Sequence, residues 1–216
     1  MVMGVDSQRN LQSVIQNIKQ TEFDALLISG DLTHHGSLNS YQTLKTILSP
    51  IQQPIFVIGG NHDQAQNLTQ VFAQNLLTSA KLDNWEIISI DSVQTGQTSG
   101  LVSESELVAL DKACLNSSAA YIIIVLHHPI VPMNSSWDDE LSLTNPQDLF
   151  AILDKHPKIR TVVFGHAHEA AKFSRLGVDI YSCPSTALQF NSETRIGFNE
   201  FELANDGTIN FTTQWI

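Results

Sequence analysis

Basic residues are scarce in this chain: 11 Lys and Arg stand against 22 Asp and Glu among 216 residues, a formal charge of -11. That balance disfavours loose attraction to a nucleic acid polymer, and it suits a carboxylate-rich site neutralised locally by cations. A small anionic substrate would then need metal to be held. Cysteine is nearly absent. Cys114 and Cys183 lie far apart in no C-x-x-C pattern, which argues against a disulfide framework or a structural zinc site and leaves buried, reduced thiols. No apolar stretch approaches the roughly 18–20 residues of a membrane span, and no charged-then-apolar leader precedes the first helical pattern. The expectation is a cytoplasmic protein with no membrane partner. Linkers, charge blocks, repeats and low-complexity segments are also lacking, so residues 1–216 read as one domain.

Helical and buried-strand patterns alternate along most of the chain. After Asp6 or Ser7, either a plausible N-cap, Leu11, Val14, Ile15 and Ile18 recur at helical spacing. Residues 24–29 read as a buried strand, Tyr41, Leu44, Ile47 and Leu48 as a helix after Ser37, and residues 54–58 as a second strand. Further strands are expected at 86–91, 121–126 and 161–164. A capping box at Ser103 and Glu106 precedes one helix, and Asn145-Pro146 opens another. The tail reads as short antiparallel strands at 179–182, 198–203 and 209–215, the last two joined at Asn205-Asp206-Gly207. The fold class is therefore α/β.

Four of the strands deliver metal-seeking residues: Gly30-Asp31, Gly60-Asn61-His62-Asp63, His127-His128-Pro129 and Gly165-His166-Ala167-His168. Glycine after a strand lets the backbone turn tightly and leaves the next side chain at the carboxyl edge of the sheet, where α/β proteins place ligand crevices. Asp31, Asn61, His127, His166 and His168 form a mixed oxygen and nitrogen set suited to manganese, iron, cobalt or zinc, and poorly suited to calcium. A carboxylate such as Asp31 has two oxygens and can bridge two cations. Asn61 offers a neutral amide oxygen. His62 is placed to hold a phosphate and protonate a leaving alkoxide, with Asp63 orienting its ring. Gly-Asp after a strand is common and says little alone; Gly-Asn-His-Asp is much more specific, and the ordered set leaves little room for unrelated turn residues. His128 reads equally as a supporting or a packing residue, His34 and His35 as solvated loop residues, and His156 as a complement to a helix dipole.

In their order these motifs resemble those of the calcineurin-like metallophosphoesterase superfamily, D-x-H, G-D, G-N-H-D, H-x-P and G-H-x-H, of which the last four are present. Softer signals are similar to the bacterial class III cyclic nucleotide phosphodiesterases of Icc/CpdA type: Gly4-Val5-Asp6, Asp31-Leu32-Thr33 with Gly36, and Pro184-Ser185-Thr186 with Gln189-Phe190. The resemblance implies a four-layer α/β-β-α sandwich, a two-metal centre, and hydrolysis of 3′,5′-cyclic AMP to 5′-AMP by metal-activated hydroxide. One metal would be held by Asp31, Asn61, His127 and His166. The other would use Asp31 and His168 with the aspartate and histidine of D-x-H, and no Asp-x-His occurs ahead of Gly30. The expectation is thus a sandwich short of its first strand and N-terminally incomplete relative to the family. Its second metal site would be incomplete and its activity weakened, and its exposed strand edge would invite a homo-oligomer. Two alternatives stand beside the cyclic nucleotide reading: a phosphoesterase for another small phosphate ester, and a noncatalytic relative that binds one metal or a nucleotide.

Overall fold

The computed structural model describes residues 3–216. The helices are α1 (Ser7–Ile18), α2 (Leu38–Leu48), α3 (Ala65–Phe72), α4 (Glu104–Asn116), α5 (Ser136–Glu140) and α6 (Pro146–Lys155). The strands are β1 (Leu26–Ile28), β2 (Ile55–Val57), β3 (Ser79–Leu82), β4 (Trp85–Ser89), β5 (Tyr121–Val125), β6 (Ile159–Phe164), β7 (Ala171–Arg175), β8 (Val178–Ser182), β9 (Gly197–Leu203) and β10 (Ile209–Trp215).

Strand alternation sorts the apolar side chains into three cores between four layers. On β5, Ile122 and Ile124 face one core with Leu110 and Cys114 of α4 and Leu149 and Leu153 of α6. Ile123 and Val125 face the opposite way, into a middle core shared with Trp85, Ile87, Val163, Leu27, Phe56 and Phe201. Beyond that core, Leu26, Ile28 and Val57 turn to a third one built with Val14, Ile15 and Ile18 of α1, Tyr41, Leu44 and Leu48 of α2, and Leu68 and Phe72 of α3. The result is helix, sheet, sheet, helix, because a strand buried on both faces needs apolar side chains at both parities.

The larger sheet runs β3-β4-β5-β6-β8-β7, with β4, β5, β6 and β8 parallel and antiparallel strands at its edges. The other strand layer is made of two pairs, parallel β1-β2 and antiparallel β9-β10. Among the described residues no strand lies between β1 and β9. Consecutive residues of both, Leu26 to Asp31 and Gly197 to Leu203, instead line one cavity of about 1770 Å³. Lining by residues of both parities means that the backbone edges face the space.

Local chemistry explains the helix ends. Asp6 caps α1 by accepting from Arg9 N–H at 3.0 Å, and Ser37 caps α2 through Ser40 N–H. Ser103 caps α4, but the reciprocal half of the expected box is missing because Glu106 accepts from Asp91 N–H. Asn145 likewise precedes Pro146 without capping it. Its amide ties Val102 instead, accepting from the N–H and donating to the carbonyl. His156 does close α6, and it also contacts Asp111 Oδ1 through Nε2 at 2.6 Å, beside the Lys155–Asp111 ion pair. Cys114 and Cys183 are free thiols, raised by burial to about 11 and about 12. No described helix is long and apolar enough to cross a membrane.

Candidate metal centre

The ends of β1, β2, β5 and β6 meet at one end of the sandwich. Asp31 follows β1 with φ +51°, and His166 and His168 follow β6 at +65° and +49°. Left-handed backbone at non-glycine residues costs energy and is retained where a turn must aim a side chain. Glycine makes the close approaches possible. A Cβ on Gly60 would overlap the Asp31 carboxylate and one on Gly30, whose φ is +98°, would overlap the His127 ring.

Four donor atoms converge there. His127 Nδ1 donates to the Ser29 carbonyl at 2.8 Å, so Nε2 presents its lone pair to the centre. That Nε2 lies 3.1 Å from Asn61 Oδ1, 3.3 Å from His166 Nδ1 and 3.4 Å from Asp31 Oδ1, and His166 Nδ1 lies 3.0 Å from Asn61 Oδ1. Metal–ligand bonds of about 2.1 Å, at angles from 90° to tetrahedral, set donor atoms roughly 3.0–3.4 Å apart. The spacing of Asn61, His127 and His166 therefore fits a divalent cation, with the Asp31 carboxylate beside His127. Four acceptors this close repel one another unless a cation or a proton lies among them.

The titration pattern follows from that crowding. Burial acts to raise the Asp31 carboxyl, but the His127 imidazole and the His62 N–H, which donates to Oδ1 at 2.9 Å, hold it well below the usual carboxylate range. Burial acts to lower His127, and the Asp31 carboxylate overcomes it and raises the imidazole. His166 is pushed down to about 3 by burial and by His127, and His168 is lowered, chiefly by burial. Both are neutral imidazoles near pH 7, the form that binds metal. His168 Nδ1 is buried without a hydrogen-bond partner, as expected of a ligand atom, and so is His166 Nε2, the ring nitrogen that stands outside the cluster formed by Nδ1.

His128 shares the neighbourhood: its ligand nitrogen and those of His127 and His166 lie within 4.8 Å of one another. Both of its nitrogens are nevertheless committed, Nδ1 to Ser92 Oγ at 2.8 Å and Nε2 to the Thr98 carbonyl at 3.1 Å, and burial lowers it to about 3. It supports the wall and is not a ligand. His62 is exposed, and its Nδ1 donates to the His34 carbonyl at 3.0 Å, leaving Nε2 free; the His34 ring stacks on it at 4.9 Å. Asp63 does not touch that ring. Its oxygens accept from Gly60, Leu32 and Thr33 N–H at 2.9, 3.1 and 3.3 Å and from the Tyr41 hydroxyl at 2.8 Å, tying the turns after β1 and β2 together, while burial raises its carboxyl. The His34 carbonyl's contact with His62 could not be read from residue types, because a backbone acceptor has no residue signature.

Comparison with known proteins matches residues 4–170 to the calcineurin-like phosphoesterase family. A "probable cyclic nucleotide phosphodiesterase" of Ruthia magnifica is 58% identical over 99% of this chain and 92% of its own length. The "3′,5′-cyclic adenosine monophosphate phosphodiesterase CpdA" of Haemophilus influenzae is 28% identical over 96% of this chain and 81% of its own. A dimetal phosphatase from Danio rerio superposes with a TM-score of 0.69 at 12% identity, over 90% of this chain and 84% of that one, and so shares the fold.

Proposed function

Because the chain belongs to the calcineurin-like phosphoesterase family and is a phosphodiester hydrolase, we propose that its substrate is a 3′,5′-cyclic nucleotide, cyclic AMP first, opened to the 5′-monophosphate with divalent metal. The observation that supports the metal dependence is the clustering of Asn61, His127 and His166 at 3.0–3.3 Å, with Asp31 Oδ1 3.4 Å from His127 Nε2. Asp31 and His168 are the chain's contribution to a second ion, and the native metals are drawn from manganese, iron, cobalt and zinc. The substrate class rests on the names of relatives that match nearly the whole chain.

Bound at this site, divalent cations would neutralise charge on the phosphoryl oxygens and make water more acidic. The remaining chemistry belongs to side chains. As a new P–O bond forms from water and the P–O3′ bond breaks, the 3′ oxygen needs a proton. His62 is suited to supply it from Nε2, with Nδ1–H anchored on the His34 carbonyl. Asp63 keeps the His62 backbone in place through the Gly60 turn. His128 and Ser92 buttress the wall behind His127 and His166.

The test is manganese content per chain together with cyclic AMP hydrolysis, in the wild type, Asn61→Ala and His62→Ala. Asn61→Ala should lose metal and turnover together. His62→Ala should keep metal and lose about 10²–10⁴-fold in rate. Wild-type turnover in His62→Ala would overturn the proton donor. Intact cyclic AMP beside cleavage of another phosphodiester would move the substrate to a different small ester.

A further inference from the structure

Two large aromatic side chains stand in the open beside the metal centre. Trp137 is 52% exposed and Phe190 40% exposed, and both line the cavity that holds Asp31, His62, His166 and His168. Their rings meet edge to face with centroids 5.0 Å apart at 83°. The inner face of Phe190 lies flat on the His168 ring, at 4.1 Å and 5°.

Neither ring hangs on a loose segment. The Phe190 loop is clamped by Gln189, whose Oε1 accepts from Ser185 N–H at 3.0 Å and whose Nε2 donates to the Ser185 and Arg195 carbonyls at 2.8 and 3.1 Å. Asn10 of α1 donates to the Ala187 carbonyl of the same loop. Trp137 sits on α5, where Ser135 caps Asp138 N–H and Asp139 accepts from Met133 N–H at 2.6 Å. Aromatic faces exposed beside a charged centre suit a flat, uncharged ligand portion, since stacking needs neither charge nor sequence-specific donors.

Resting on the cyclic nucleotide reading, we propose that the nucleobase stacks on Trp137, with Phe190 set at 83° to it on the side of the sugar, while the phosphate occupies the metal centre. The order of groups matches the ligand: imidazole of His168 at the phosphate end, then Phe190, then Trp137, as phosphate is followed by sugar and base. Trp137 is a specificity residue, acting on the base and not on the reacting atoms.

The experiment compares kcat/KM for 3′,5′-cyclic AMP with that for its base-free counterpart, 1-deoxyribose 3′,5′-cyclic phosphate, in the manganese-loaded wild type, Trp137→Ala and Trp137→Phe. The wild type should prefer cyclic AMP, and Trp137→Ala should cut that preference about tenfold, a loss in the range of one stacked base. Trp137→Phe should restore part of it. Binding of the product 5′-AMP should quench tryptophan fluorescence in the wild type and not in Trp137→Phe, which keeps Trp85 and Trp215. An unchanged ratio of the two kcat/KM values in Trp137→Ala overturns the platform. If the wild type turns over neither compound, the phosphodiesterase reading fails instead, and the 5′-AMP quench alone decides the platform, its absence refuting it.

Discussion

Removing the Asp63 carboxylate should cost the protein stability before it costs chemistry. Asp63→Ala strands three backbone N–H groups, of Gly60, Leu32 and Thr33, and the Tyr41 hydroxyl. Hydrogen bonds to a charged acceptor contribute about 1.5–3 kcal/mol each, and those sharing one acceptor do not add in full. A total of about 3–5 kcal/mol follows, which for a domain of this size lowers Tm by about 8–15 °C. Tyr41→Phe is the graded control. It removes the bond to Asp63 and the one that Tyr41 Oη accepts from Gln64 N–H at 2.9 Å, and should cost about 1–2 kcal/mol. The assay is calorimetric melting of the metal-free protein, so that metal affinity does not enter. A Tm for Asp63→Ala within about 2 °C of wild type, beside a large loss of kcat, would refute this account. It would return Asp63 to orienting the His62 ring.

Acid should destabilise the metal-free protein in a defined window. His128 and His166 stay neutral in the fold down to about 3 and protonate near 6.5 once unfolded, so between those values the unfolded state binds more protons and stability falls with pH. Two such histidines give a loss of about 2–3 kcal/mol between pH 7.5 and 5.5, read as a falling urea midpoint; a constant midpoint would count against their burial. His127 has the opposite sign, raised in the fold, so its stabilisation is complete below 6.5 and lost as pH rises through its folded value. Manganese must displace that proton, and calorimetry in two buffers of different ionisation enthalpy should show proton release on binding that fades at high pH. Gly60→Ala, whose Cβ would overlap the Asp31 carboxylate, should cost about 1–3 kcal/mol and weaken metal binding; wild-type manganese affinity in this variant would contradict the close packing.

The strands of the sandwich were legible because buried strands show as unbroken apolar runs: residues 54–58 and 121–126 contain the observed β2 and β5, and 161–164 covers all of β6 but Ile159 and the exposed Arg160. α3, β3, α5 and β7 left weaker traces. Ser79–Leu82 and Ala171–Arg175 lie at sheet edges and are half exposed, so their side chains are not constrained to be apolar, and α5 is a single turn set by Ser135. At the site, residue type singled out Asp31, Asn61, His127, His166 and His168 as candidate ligands, and the fold brings them to one end of the sandwich. The division of labour between His62 and Asp63 was not legible, because adjacency in sequence says nothing about which backbone amides a carboxylate will meet. Trp137 and Phe190 lie 53 positions apart, and only the fold brings them together.

The two walls of the metal centre differ in how they are anchored. His127 and His166 extend from β5 and β6, each paired on both sides within the six-stranded sheet, whereas Asp31 extends from three residues of β1, which among the described residues pair on one side only. In exchange terms, the amides of β1 that face the cavity should lose their protons to solvent much faster than those of β5, and the opening that exposes them moves Asp31 while leaving the imidazoles in place. On the proposed metal reading, the affinity for the ion should then be reduced by the free energy of ordering β1. Whatever stiffens β1 without touching a ligand should tighten the ion by the same amount.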